Sequence, residues 1–327
     1  MATVLVTGGA GYVGSHACKA LASAGHRPVA FDNLSTGWRE AVRWGPLVEG
    51  DLLDPDALDG AFAAHRPDAV MHFAALSNVG ESVSAPARYW RNNVVGTLNL
   101  IDAAGRHGVS RLVFSSTCAI YGEARGSLLG EGDDEAPVNP YGRTKRAMEE
   151  MIRDLAVATS LTTVVFRYFN AAGADPDREI GEQHRPETHL IPLTLDAISG
   201  RRKAISIFGT DYPTPDGTCI RDYVHVADLA RAHVLGLDHL LGGGESLALN
   251  LGSGRGYSVR EVIDTAGRVT GMPVPQLTAP RRPGDPPRLV SGSSRARERL
   301  GWETGRSELE TIIADAWAWH QGRGFAA

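Results

Sequence analysis

The chain has 327 residues, a formal charge of -5 and 43% hydrophobic residues, which allows one large or two modest domains with a proper core and excludes a disordered chain. The mildly acidic balance argues against a nucleic-acid polymer as partner, because such binding selects a basic stripe. The three cysteines, Cys18, Cys118 and Cys219, are odd in number and widely spaced, so neither a disulfide framework nor a zinc motif is expected, and no apolar run approaches the roughly 20 residues of a membrane span.

Met1 to Val6 has no basic region and reads at once as a strand, so a signal peptide is not expected and a cytoplasmic location is. Thr3-Val4-Leu5-Val6-Thr7 is apolar on both faces, as a buried parallel strand is. Tyr12 to Ala24 reads as a helix ended by Gly25. Strands are expected at Val29–Asp32, Val48–Asp51, Ala69–Phe73, Arg111–Ser115 and Thr162–Arg167, with helices at Ala85–His107 and Tyr141–Ser160. This alternation predicts right-handed βαβ units and an α/β, doubly wound parallel sheet of Rossmann type. Beyond Asn170 the pattern is less regular. Ala171–Thr188 and Pro213–Thr218 read as loops, Val226–Leu241 as a helix ended at Gly242, Ala248–Leu251 as a strand, and Arg281–Pro287 as a rigid loop before C-terminal helices. This part resembles a smaller, mixed α/β unit.

Glycine is over-represented, at 38 residues or roughly 12% against a usual 7% or so. Part of the surplus lies in Thr7-Gly8-Gly9-Ala10-Gly11-Tyr12-Val13-Gly14, between a strand and a helix. Gly9, Gly11 and Gly14 fit G-x-G-x-x-G, in which glycines make a tight turn, admit a pyrophosphate to the backbone and let helix and strand pack closely. The helix start offers free amides and a positive dipole end. Asp32, 18 residues beyond Gly14, ends the second strand. A carboxylate there accepts from an adenosine ribose and repels a 2'-phosphate, which favours NAD over NADP. Tyr141-Gly142-Arg143-Thr144-Lys145 puts Tyr and Lys on one helix face, where an ammonium would lower a phenol pKa otherwise near 10. Ser115-Ser116-Thr117 falls at the C-terminal end of a parallel strand, the edge where such folds bind ligands. His72, His225 and Cys118 show no ligand spacing, and no metal is expected.

Thr7–Gly14, Asp32-Asn33, Ser115–Thr117 with Tyr121-Gly122, and Tyr141 with Lys145 resemble the extended short-chain dehydrogenase/reductase family. Further stretches, among them Arg167-Tyr168-Phe169-Asn170, Phe208-Gly209-Thr210-Asp211-Tyr212-Pro213-Thr214, Arg221-Asp222-Tyr223 and Arg281-Arg282-Pro283-Gly284-Asp285, are similar to its UDP-glucose 4-epimerase branch, from Val4 to about Trp319. That resemblance implies NAD as cofactor, held in an N-terminal Rossmann domain (residues 1–170, with 222–252 packing back onto it), and a UDP-sugar held by residues 171–327. It implies that Tyr141, Thr117 and Lys145 carry the chemistry. It implies NAD contacts from Gly8, Gly11, Tyr12, Val13, Gly14, Asp32, Asn33, Asp51, Leu52, Phe73, Ala74, Ala75, Asn92, Ser115, Tyr141, Lys145 and Phe169. Substrate contacts would come from Thr117, Tyr141, Asn170, His189, Leu190, Phe208, Arg221, Arg282, Asp285 and Leu289, the arginines suiting a diphosphate and Asp285 the ribose hydroxyls. A homodimer built from the helices near Asn92–His107 and Tyr141–Ser160 is likewise implied.

Three positions depart from the family pattern. Ser77 stands where a cofactor-binding Lys is common, His189 where Asn is common, and Leu289 at a position that governs tolerance of N-acetyl sugars. The expected activity is inversion at C4 of a UDP-sugar, foremost UDP-glucose/UDP-galactose. The alternatives are UDP-xylose/UDP-arabinose epimerisation, a sugar-nucleotide 4,6-dehydratase, and a non-catalytic NAD-binding scaffold. Dehydratases of the family carry Asp-Glu directly after the Thr, where this chain has Cys118-Ala119, and scaffolds lose the Tyr or the Lys, both present here.

Overall fold

The computed structural model describes residues 1–123, 128–282, 285–322 and 324–325. Pro283 and Gly284 of the expected rigid loop therefore lie outside the described residues. The strands are β1 (Thr3–Thr7), β2 (Arg27–Asp32), β3 (Leu47–Glu49), β4 (Ala69–His72), β5 (Arg111–Thr117), β6 (Thr162–Tyr168), β7 (Asn170–Ala172), β8 (Ile205–Phe208), β9 (Ile220–His225), β10 (Leu247–Leu251), β11 (Gly256–Ser258), β12 (Gln276–Ala279) and β13 (Arg288–Leu289). The helices are α1 (Tyr12–Ser23), α2 (Pro55–His65), α3 (Val79–Ser84), α4 (Pro86–Tyr89), α5 (Gly96–Arg106), α6 (Pro140–Ala158), α7 (Leu190–Ile198), α8 (Val226–Leu241), α9 (Val259–Thr270), α10 (Arg295–Leu300) and α11 (Leu309–Gln321).

Seven strands form one sheet in the order β10-β6-β5-β4-β1-β2-β3, and all its pairings are parallel. This is a Rossmann-type sheet, and its chain order reverses between β1 and β4, where such folds open a crevice. Period-two alternation assigns the two faces. Val4 and Val6 join Met71, Val113 and Phe166 beneath α1 and α8. Leu5 joins Val29, Phe31, Val70, Leu112 and Phe114 beneath α2, α5 and α6. Apolar burial on both faces explains why these strands read as continuous hydrophobic runs. A second sheet, β11-β9-β13 with β7 also on β9, and the pair β12-β8 are backed by α7, α9 and α11, whose Leu195, Val262 and Ile312 pack with Tyr223.

Local chemistry fixes the helix starts. Asp54 caps α2 by accepting from the amides of Asp56 and Ala57, with Pro55 in the first turn, and Ser258 and Glu261 form a reciprocal capping box on α9. The stretch expected as one helix over Ala85–His107 is instead α4, a π-helical turn at Trp90–Val95, and α5. Asn93 explains the wide turn. Its buried side chain leaves the helix to bond Leu76 N, Leu76 O and Thr144 Oγ1. Helix α2, the β8–β12 pair and strand β7 were not expected. Strand β7 lies inside a stretch otherwise read as loop, because three residues on a buried edge carry too little pattern.

Phe166 is fully buried on β6, one strand in from the edge of the large sheet, and α8 approaches so closely at Gly236 that a Cβ there would lie 2.8 Å from its ring. The α8 backbone lies directly on the ring, so a void there collapses poorly. Phe166→Ala is expected to cost about 3–5 kcal/mol, read from urea unfolding with the helical circular-dichroism spectrum retained.

Candidate active site

The turn after β1 starts the site. Gly8 N donates to Phe31 O and Gly11 N to Gly8 O. Gly8 has φ +73, and a Cβ on it would lie 2.7 Å from Ala74 N, the chain leaving β4. A Cβ on Gly14 would come within 2.1 Å of Gly8 O. Only glycine satisfies this crossing of two strand ends and a helix. No side chain caps α1 at Gly11, which leaves the leading amides beside Tyr12 and Val13 to an anion. The Tyr12 hydroxyl points away, donating to Gly173 O at 2.7 Å.

Asp32, nearly buried at the end of β2, accepts from Ala10 N at 3.0 Å and Leu34 N at 2.8 Å. Burial raises its carboxyl and the two amides oppose that rise. Asn33 donates to Asp51 Oδ2 at 2.8 Å, joining the residues after β2 to Asp51 and Leu52 after β3. Phe73, Ala74 and Ala75 follow β4, with Phe73 N and Ala74 N on Thr7 O. Asn92 lies in the π turn and donates to Asn93. A glycine cradle, uncapped amides and a terminal carboxylate at the C-terminal ends of adjacent parallel strands fit an adenine dinucleotide without a 2'-phosphate.

His72 belongs to the floor of the crevice. The Thr97 hydroxyl donates to Asn93 O, so it accepts from His72 Nε2, and Nδ1 in turn accepts from Thr7 Oγ1 at 2.6 Å. Burial holds this imidazole neutral, with its pKa down at about 3.

Strand β5 and helix α6 meet on the other side of the crevice. Asn139 caps α6 by accepting from Gly142 N, with Pro140 first in the helix. This places Tyr141 in the first turn and Lys145 one turn on. Tyr141 stands beside the Thr117 side chain. Lys145 Nζ donates to Ser115 O at 2.9 Å and stands 4.9 Å over the Phe114 ring. The Ser115 hydroxyl pairs with Tyr168 OH. Burial, and then Tyr168, raise the Tyr141 phenol, while the Thr117 side chain lowers it. Burial pushes Lys145 down to about 7, against the attraction of Glu149. Glu149, which sequence reasoning passed over, is buried and accepts from Ser116 Oγ and from Arg167, whose Nε lies at 3.0 Å.

The residues expected on the substrate side are held by the second sheet. Arg221 forms an ion pair with Asp285. The Arg282 guanidinium lies 4.1 Å over the Phe208 ring. Leu289 of β13 is in register with Arg221 of β9 and packs with Cys118, Ile120, Tyr121 and Phe169, so this sheet reaches the turn that follows Thr117. Asn170 begins β7 opposite Tyr223. His189 stands apart from that group, just before Leu190 and α7. Its Nδ1 lies 2.9 Å from both Glu182 and Glu187. Burial works against charge there, yet the two carboxylates outweigh it and push His189 up to about 10. Asp222, also unforeseen, is fully buried and gathers the amides of Ser253, Gly254 and Ser291. Its only sequence signal is its place between Arg221 and Tyr223.

Crevice, glycine turn and Tyr–Lys helix together define a dinucleotide-dependent enzyme of the short-chain dehydrogenase type. The chain belongs to the NAD dependent epimerase/dehydratase family, whose model matches residues 4–252. It is 52% identical over 318 residues to the UDP-glucose 4-epimerase of Rhizobium leguminosarum bv. trifolii, covering 97% of each chain. The structure of UDP-glucose 4-epimerase from Brucella ovis in complex with NAD matches with a TM-score of 0.95 at 53% identity, over 97% of this chain and 98% of that one. The enzyme from Bifidobacterium longum in complex with NAD+ and UDP matches with a TM-score of 0.93 at 35% identity, over 98% of each. Among the described residues, no helix is long and apolar enough to cross a membrane.

The lowered Lys145 gives a pH signature. Between its folded value of about 7 and its ordinary 10.5, the unfolded chain holds a proton that the folded chain lacks, so this group makes stability rise with pH across that window. Lys145→Met is expected to remove that rise. The urea midpoint of the parent should gain more than that of the variant from pH 7 to pH 9.5, and equal gains would refute the assignment.

Proposed function

We propose that the chain is an NAD-dependent isomerase that inverts C4 of a UDP-sugar, with UDP-glucose and UDP-galactose as the preferred pair. The observation that carries this reading is the placing of Tyr141 and Lys145 one turn apart on α6 with Thr117 beside them at the end of β5, and no carboxylate in the Cys118–Ile120 turn that follows. One hydroxyl that takes a proton and later returns it is sufficient for epimerisation. Elimination of a 6-hydroxyl needs further acid–base groups. Cys118 does not serve, because burial pushes its thiol up to about 12.

The chemistry that NAD supplies when bound is reversible acceptance of hydride from sugar C4. Everything else falls to the chain. Tyr141 takes the proton of the 4-OH as the ketone forms and gives it back once the sugar has turned. Thr117 hydrogen-bonds the same oxygen. Lys145 as an ammonium stabilises the tyrosinate; burial alone drives the phenol up and the amine down and so favours the neutral pair, and it is the attraction between ammonium and phenolate in the closed site that works against this. Arg221 and Arg282 hold the diphosphate, and Asp285, already against Arg221, receives the ribose hydroxyls.

The large sheet, including β10 under α8, would form the NAD unit and the second sheet with α7, α9 and α11 the UDP-sugar unit. Leu289, with Cys118 and Phe169 around it, is a wall of intermediate size that leans toward unsubstituted sugars over N-acetylated ones. We further assign a homodimer, since Val83, Trp90, Val95, Leu98 and Val157 are exposed on mutually packed helices α3 to α6. A cytoplasmic setting agrees with three free, buried cysteines.

Proton NMR of separate UDP-glucose, UDP-xylose and UDP-N-acetylglucosamine incubations tests the reading, with UDP-galactose expected as the chief product and a 6-deoxy-4-keto sugar as the result against it. Tyr141→Phe is expected to cut turnover by about 1,000-fold while the purified variant still releases NAD on denaturation. Near-normal turnover would remove Tyr141 from the proton-transfer role.

A further inference from the structure

Between Gly173 and α7 the chain carries Glu182, His184, Glu187 and His189, two carboxylates and two imidazoles within eight residues. Their ligand atoms all lie within 4.8 Å of one another. The carboxylates are largely buried, with side chains 7% and 14% exposed. His184 Nδ1 is 3.4 Å from Glu182 Oε1 and 3.4 Å from Glu187 Oε2. That atom is buried and makes no hydrogen bond. His184 thus meets both carboxylates at ion-pair distance but without a well-directed hydrogen bond, a wider spacing than that of His189.

We infer that Glu182, His184, Glu187 and His189 form a structural binding site for one divalent transition-metal ion, best matched to zinc. A tetrahedral ion with bonds of about 2.1 Å sets its ligand atoms about 3.4 Å apart, the separation that His184 Nδ1 keeps from both carboxylates. His189 Nδ1, at 2.9 Å from each, completes the set with a small outward shift. Once an ion displaces the protons that the carboxylates hold on the two imidazoles, two carboxylates and two neutral imidazoles balance its charge, and the mixed N/O donors suit zinc over calcium or magnesium. Four protein ligands leave no open position, so the site is structural and distinct from the Tyr141 centre. Its frame is already fixed. Gln183 O accepts from Trp38 Nε1 at 2.8 Å, Glu182 O accepts from Trp319 Nε1, and Glu187 Oε1 accepts from the amides of Thr188 and His189. The ion would clamp the segment that runs from the Tyr12–Gly173 contact to α7, and Nδ1 ligation leaves His189 only Nε2 for a substrate.

The other candidate group among the described residues, Asp175, Asp177 and Glu179, is the control. Lys19 Nζ already fills its centre, at 2.7 Å from each carboxylate.

The full chain, stripped with chelator and dialysed against zinc sulfate, is expected to retain about one zinc per chain by mass spectrometry. The retained zinc should be absent in His184→Gln/Glu187→Gln and unchanged in Asp175→Asn. X-ray absorption of the zinc-loaded parent should show imidazole nitrogen and carboxylate oxygen at about 2.0–2.2 Å. This decides the matter even where the double variant fails to fold. No retained zinc, equal retention by a folded double variant, or a shell without imidazole would overturn the site.

Discussion

Three side chains on one face of α6 meet three consecutive residues of β5, and the site depends on that seam. Tyr141, Lys145 and Glu149 recur every four residues, and they engage Thr117, Ser115 and Ser116 respectively. Glu149 locks the seam because it also holds Arg167 of β6, which is buried and further bound to Tyr121 and Glu135. Removing either partner of such a pair strands a buried charge, a larger loss than the pair itself contributes. The register of α6 on the sheet, and with it the aim of the Tyr141 hydroxyl, is therefore set by a group that touches no ligand.

The same seam shows what sequence reading reaches. Tyr141 and Lys145 stand out because their spacing alone puts them on one helix face, and the Gly8–Gly14 turn because its glycines meet backbone at distances no Cβ tolerates. Asp32 is legible from its place at a strand end. Glu149 obeys the same helical spacing, but its meaning comes from Ser116 and Arg167, 33 and 18 residues away. Asp222 is defined by amides 31, 32 and 69 residues away. Helix α2 carried its own signal in Asp54-Pro55 and was readable, whereas β7 and β8 pair with strands remote in sequence and have no local periodicity. The Glu182–His189 run reads as loop, since its ligands alternate with Gln183, Arg185, Pro186 and Thr188 and gather only when the segment folds back on Trp38 and Trp319.

Electrostatics in this molecule is local. A chain with formal charge -5 carries uncapped amides at α1 and, in the proposed substrate site, two guanidiniums, each with a neighbour that fixes it: Asp285 beside Arg221, and the Phe208 ring beneath Arg282. Both arrangements restrict the side chain before any ligand arrives, and a guanidinium restricted in advance loses less entropy on binding.

The Tyr12 hydroxyl bond to Gly173 O joins the phosphate-facing turn to the segment that leads through Glu182–His189 to Leu190. A ligand that orders the turn thereby orders part of the framework needed by a ligand on the far side, so the two sites share one conformational cost. Thermodynamic linkage makes such sharing symmetrical: the factor by which the first ligand tightens the second is the factor by which the second retains the first. One phenolic hydrogen bond between these segments can thus favour retention of a cofactor that each catalytic cycle returns to its starting state.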